Sequence, residues 1–351
     1  MRELINRHKR YIICIVCVLG IFAGNIYKSG LVGAISMQNP EKRWSADKSG
    51  SGYAAAYMSE DEGLNLESIK SFKEQYRTTM LEDSLEIAET SRNYIDAYSC
   101  EGQLEVSKEA GKGGVKVNVT AVGGDFFFFH PMELLSGSYI NDSDLMHDRI
   151  VVDEDTAWNL YGSSEIAGKS CVINNKYYYI AGVVRVNDSK ISERTYGNRS
   201  RIFMHYDEYP VTGDVAKAIT NYEMVYPELL SGKAVKVLNS LLGIEETNDS
   251  VEGAVEDARS IEVVDMNRRF GFVALWNVIR SYGERSSRTN GIIYPFWENE
   301  CRMTEDYAAI ALALNILFAA IAAIMLIPTI VFIYKFAVGN VEKLIRKIRS
   351  R

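Results

Sequence analysis

The sequence predicts an α+β domain of two mixed subdomains held between an N-terminal and a C-terminal membrane helix. Three observations lead there. Residues 11–27 and 307–334 of the 351-residue chain carry no charge and are mostly apolar. The residues between them are polar enough to fold in water. Within that middle, the apolar residues recur now at helical spacing and now at spacing two, in many short segments, as expected of α+β architecture.

A helix needs about 20 apolar residues to cross a hydrocarbon core of roughly 30 Å. The second stretch is long enough and the first stands at the short end. The alternative for the first is a signal peptide cut after Val32-Gly33-Ala34, since a basic start and a short apolar core fit that pattern too. Its uncharged run exceeds a usual signal core, so an uncleaved anchor is expected. Basic residues flank both spans: Arg2, Arg7, Lys9 and Arg10 before the first, and Lys335, Lys343, Arg346, Lys347, Arg349 and Arg351 after the second. Basic flanks stay in the cytoplasm. Both termini are therefore expected inside and the middle outside, in a multi-pass protein of the cell membrane. The chain has a net charge of −7, and with basic ends its middle is more acidic still. That composition excludes nucleic acid as a partner and disfavours docking on anionic lipid.

Residues 36–63 are rich in Ser, Gly, Ala and Lys and read as a tether. Asn65 then caps a helix carrying Leu66, Ile69, Phe72 and Tyr76. Residues 82–92 are acidic and fit either a second helix or a loop. From Tyr94 the period is two. Val115, Val117, Val119 and Ala121 alternate with polar residues in a half-buried strand after a turn at residues 111–114. An aromatic run, Phe126–Phe129, suits a core or subdomain contact better than a ligand wall. A strand at residues 149–153 leads into a helix at residues 154–161, stopped by Gly162. Residues 171–173 and 177–184 form a hairpin about Asn174-Asn175. Strands follow at residues 200–205 and 221–225, a helix at 229–242, a strand at 261–264 and a helix at 270–282.

Of five cysteines, Cys14 and Cys17 lie in the first apolar stretch and are expected to pack there. Cys100, Cys171 and Cys301 allow at most one disulfide. Gly162 to Ser170 imitates a phosphate loop but has five residues between its glycines, where the motif needs four. His8, His130, His147 and His205 show no metal-motif spacing. Asn141, Asp142, Asp144 and Asp148 lack the Gly and terminal Glu of a calcium loop and read as a solvated turn. No nucleophile elbow occurs. The expected inventory is no catalytic residue, no cofactor and no metal ligand, hence no enzyme.

The stretch from Gly123 to Val184 resembles the extracytoplasmic core domain of MacB-like ABC transporter permeases. The resemblance rests on Gly124, Phe127, Gly137, Ala157, Leu160, Gly162, Gly168, Lys169 and Gly182, in order and correctly spaced. It also accounts for Gly168-Lys169 as a turn before a hairpin. It implies basic cytoplasmic ends at residues 1–10 and 335–351, membrane helices at 11–35 and 307–334, and a MacB-like core domain at 64–306. Permeases of that family continue into further membrane helices and engage an ATPase, which this sequence does not carry. The implied role is a non-catalytic membrane component of a MacB-like ABC transport system, coupling ATPase action to an extracytoplasmic domain in export or mechanotransmission. Its implied partners are the lipid bilayer, a separate ABC ATPase and a permease subunit supplying the other spans; a homodimer is allowed. The alternative is a two-span sensor or binding protein acting through a membrane partner.

Overall fold

Strands dominate the middle of the chain, and nearly all hydrogen-bond to one another in one continuous system. The computed structural model describes residues 2–35, 39–44, 50–82, 94–109, 113–186, 189–197, 200–209, 217–227, 232–244, 255–257, 260–287 and 291–349. Residues 83–92 of the expected segment at 82–92, residues 111–112 of the turn at 111–114 and residues 229–231 of the helix at 229–242 lie outside these residues.

Two long helices enclose the rest. Helix α1 (Arg2–Ala34) enters, and after the short α2 (Pro40–Trp44) the globular part begins with β1 (Ser51–Met58). Then come α3 (Leu66–Glu82), β2 (Ile95–Ser107), β3 (Val115–Gly124), α4 (Phe126–Phe129) and β4 (Glu133–Gly137). Strand β5 (Arg149–Asp153), α5 (Glu154–Tyr161), β6 (Ser170–Ile173), β7 (Lys176–Arg185), α6 (Lys190–Tyr196) and β8 (Arg201–His205) follow. The last third holds β9 (Asn221–Pro227), α7 (Lys233–Leu241), β10 (Val255–Asp257), β11 (Ile261–Asp265), α8 (Phe272–Arg280), α9 (Tyr282–Ser287) and α10 (Phe296–Arg349).

The strand order is β10-β11-β1-β9-β2-β3-β8-β5-β7-β4, mixed in direction, with β3–β8 and β5–β7 parallel. Strand β6 pairs with both β2 and β7. That double pairing closes β2, β3, β8, β5, β7 and β6 into a ring, while β10, β11, β1 and β9 form an open wing on the other edge of β2. The two mixed subdomains therefore share one long strand. Ring closure satisfies backbone groups that an open edge would leave bare.

The tether expected at residues 36–63 is overturned at its centre. Strand β1 is buried and lies inside the wing, paired antiparallel with β11 and β9. Ala54, Ala56 and Met58 enter the core on one face; Tyr53, Ala55 and Tyr57 enter the core on the other. A strand buried on both faces reads as an unbroken apolar run, so period two gives no sign of it.

The first face is covered by α3, through Ile69, Phe72, Tyr76 and Met80, and by α7. Asn65 caps α3 as expected, accepting from the Ser68 amide at 2.8 Å. The second face receives Phe126 and Phe129 of α4 with Phe296, Trp297 and Cys301 of α10. The aromatic run at residues 126–129 is thus a single helical turn within a core. The Asn174-Asn175 hairpin has φ of 47° and 62°, the left-handed pair that a two-residue turn requires.

Helices α1 and α10 run antiparallel against each other. Cys14 faces the Ala322 carbonyl at 3.9 Å, and a Cβ on Gly20 or Gly24 would collide with Phe318 or Asn315. The glycines let the backbones approach closely, as small residues do between membrane helices. Ile12, Val16, Phe22, Ile310, Leu317 and Ile324 point outward. Both helices are long and apolar enough to cross a membrane, and their apolar windows are almost wholly unburied by the chain. Pro328 lies inside α10. No two of the five cysteines form a disulfide.

Candidate functional site: the foot of the membrane helix

The first three turns of α10 stand inside the globular part. A face spaced i, i+4, i+7 presents Glu298, Arg302 and Glu305 to the end of the wing. Arg269, just beyond β11, donates from Nη1 and Nη2 to the two Glu298 carboxylate oxygens at 2.8 and 2.9 Å. Its Nε donates to Glu305 at 2.7 Å. Arg302 donates to Glu298 at 2.8 Å and also pairs with Glu262 of β11. Arg285 of α9 completes the set by pairing with Glu305 and approaching Asp306 at 3.6 Å. Helix α10 is thereby bonded to β11, to the turn after it and to α9.

Arg269, Glu298, Glu305 and Glu262 are buried, and the Glu298 side chain is 0% exposed. Burial alone pushes the Glu298 carboxyl up, but the Arg269 and Arg302 guanidinium groups outweigh it and hold the carboxyl below its ordinary range. Burial likewise disfavours charge on Arg269, yet Glu298 and Glu305 raise its pKa well above the usual value. The Glu298 and Arg269 shifts both favour the charged forms of the central pair. Removing one member leaves an uncompensated buried charge, which costs about 3–5 kcal/mol.

The opposite face of the foot is apolar and wedged. Trp297 is 1% exposed and lies against His130, with ring centroids 4.4 Å apart, and against Phe126 at 5.4 Å. Phe296 packs on Tyr196 of α6 at 4.8 Å. Glu300 accepts from Ser192 of α6, and Arg194 donates to the Tyr307 hydroxyl at 3.2 Å. The sequence alone suggests Trp297, Glu298, Glu300 and Glu305 as residues of the membrane–water boundary. The structure corrects that placement: all four are buried in protein. Most of their partners, Arg269, Arg285, Ser192 and His130, lie 20 or more residues upstream, which no local pattern reveals.

The other sequence candidates fall elsewhere. His130 is a core histidine whose Nε2 is 2.6 Å from Glu223, itself accepting from Tyr53. Lys169 lies over the Tyr161 ring at 4.8 Å, and Gly168 has φ +84° in the turn before β6. Asn141 and Asp144 form a turn, the Asp144 amide donating to the Asn141 carbonyl at 2.9 Å. His147 and His205, 58 residues apart, lie ring against ring.

Residues 45–238, which hold the ring and strands β1 and β9 of the wing, match the family model of the MacB-like periplasmic core domain. The chain belongs to this family. The match begins within the supposed tether, in accord with β1 being part of the domain. Among solved structures, the periplasmic region of MacB from Actinobacillus actinomycetemcomitans is similar at 12% identity and a TM-score of 0.41, covering 68% of this chain and 94% of its own. The extracellular domain of the noncanonic ABC-type transporter YknZ from Gram-positive bacteria is similar at 11% identity and a TM-score of 0.39, covering 61% of this chain and 100% of its own. No curated protein matches the chain.

Proposed function

We propose that this MacB-like protein is a non-catalytic membrane component of an ABC transport system and transmits movement between a cytoplasmic ATPase and the extracytoplasmic domain. The observation that carries this reading is the continuity of α10. One helix of 54 residues holds the ion-paired foot and the apolar span without a break. A helix continuous across the boundary passes displacement on, whereas a flexible linker would absorb it. The work asked of the domain is rigidity, supplied by buried ion pairs and a doubly covered sheet, and it needs no reactive group.

The same reading places both termini in the cytoplasm and residues 307–334 across the bilayer. On this reading the partner inside the cell is an ABC ATPase. Helix α8 fits beside the outer membrane surface. Its Leu275 and Val278 pack with Ala308 and Ala309 of α10, while Phe272, Val273 and Trp276 stay exposed. Those three side chains suit the interfacial region of a bilayer.

Replacement of Met303-Thr304 by Gly-Gly tests the coupling. Each glycine softens a helix by about 1 kcal/mol, and the site lies at the last turn of the foot, between Arg302 and Glu305, just ahead of the span. The expected outcome is loss of an ATPase-dependent phenotype, such as tolerance of a toxic peptide, at normal surface expression. A wild-type phenotype at normal expression would reduce the connection to an anchor.

A further inference from the structure

Four histidines occur in the chain, and two of them meet at the end of β8. His205 is 2% exposed, and its Nε2 has no hydrogen-bond partner among the described residues. The His147 ring stacks on it, with centroids 4.2 Å apart and planes 12° from parallel. Asp207 Oδ2 lies 2.6 Å from His147 Nδ1. One ligand atom from each of His147, His205 and Asp207 lies within 4.8 Å of the others. A fourth oxygen comes from the turn at residues 141–144, with Asp144 Oδ2 3.8 Å from His205 Nε2.

Packing alone accounts poorly for this arrangement. A buried imidazole nitrogen normally finds a carbonyl or a water, and leaving it bare costs about 1–3 kcal/mol. Here the bare nitrogen lies 3.8 Å from the Asp144 carboxylate, beside a second imidazole and the Asp207 carboxylate. Two imidazoles with carboxylates form a donor set suited to zinc-like transition metals, whereas calcium and magnesium prefer oxygen alone.

We propose that His147, His205, Asp207 and Asp144 bind one divalent transition-metal ion of the zinc class. Bonds of about 2.0–2.1 Å to a tetrahedral ion set ligand atoms about 3.4 Å apart, so the cluster closes slightly on binding. His205 is the fixed ligand, held in a buried strand. His147, Asp144 and Asp207 are partly or well exposed and supply the movement. The ion then fastens the turn after β4, where Leu145 and Met146 stand exposed, to the end of β8. That turn borders a cleft of about 300 Å³ lined by His205, Asp142, Tyr139 and the aromatic turn α4. Metal occupancy therefore sets the shape of one cleft wall.

The test uses the full chain purified in detergent with a tag free of histidine and stripped by a chelator. Zinc is titrated by calorimetry and cobalt by visible absorption. One ion per chain is expected, with cobalt bands of a four-coordinate nitrogen–oxygen site and a zinc-dependent rise in the thermal midpoint. His147→Ala and Asp207→Asn should each weaken zinc binding on the order of a hundredfold, with the metal-free midpoint unchanged. His205→Gln should remove the cobalt bands, and Lys169→Ala should keep them. No saturable zinc binding by the wild type, or wild-type affinity in both His147→Ala and Asp207→Asn, would overturn the assignment.

Discussion

Gly168 turns the chain with φ +84°, and a Cβ built there meets nothing within 4 Å. The cost of a side chain at this position is therefore conformational. Its amide donates to the Ile180 carbonyl at 2.8 Å, so the turn is bonded to β7 and does not relax freely. Gly168→Val should lower stability by about 1–3 kcal/mol, read as a shifted urea or thermal midpoint. Lys169→Ala should cost at most about 1 kcal/mol, the value of an exposed cation–π contact. Equal midpoints for Gly168→Val and wild type would show that the turn tolerates ordinary residues. The glycine and its neighbour were legible in the sequence because turn chemistry is local. The pairing of His147 with His205 was not, since only the passage of the chain from β4 through β5 and β7 to β8 brings them together.

The foot of α10 behaves as an element with two differently built faces, one ionic and one aromatic. Arg269→Met alone leaves Glu298 and Glu305 short of a cation and should destabilise the protein by about 3–5 kcal/mol. The double variant Arg269→Met/Glu298→Met removes charge from both sides. It should recover a substantial part of that loss in a denaturation cycle, as groups in direct contact do. Additive losses would show that the two side chains do not act as a pair. Acid gives a second handle. Glu298 has a folded-state pKa lowered from the ordinary 4.5. Its contribution is fully present above the unfolded value and fades as pH falls through the lower folded one. The thermal midpoint of the wild type should thus hold down to about pH 4.5 and fall below it, and Glu298→Gln should flatten that part of the profile. At this scale, hairpins and capped helices were readable from spacing. Strand β1 was not, because Ser51-Gly-Tyr-Ala-Ala-Ala-Tyr-Met58 has no polar face and three alanines that favour no strand. The burial of Trp297 was hidden for a related reason: an aromatic beside an apolar span suggests a membrane anchor unless the partners, His130 and Phe126, are known to arrive from β3 and beyond.

As a whole, the molecule is a sheet covered on both faces and joined to a pair of long antiparallel helices. With the sheet outside the cell, Leu145→Cys, at a fully exposed position, should react with an impermeant maleimide on intact cells. Protection until the cells are opened would reverse the topology. Pro328 has a consequence for motion. Proline lacks the amide that would bond the Ile324 carbonyl, and its ring disfavours straight continuation, so a helix bends there before it bends elsewhere. From Phe296 to Pro328 the helix is about 48 Å long. Treated as a lever pivoting at the proline, a tilt of about 5° carries the far end about 4 Å. Hydrogen bonds of 2.7–2.9 Å between the foot and Arg269 cannot stretch that far. Either they break together or the sheet travels with the lever, and the aromatic wedge on the opposite side favours travel.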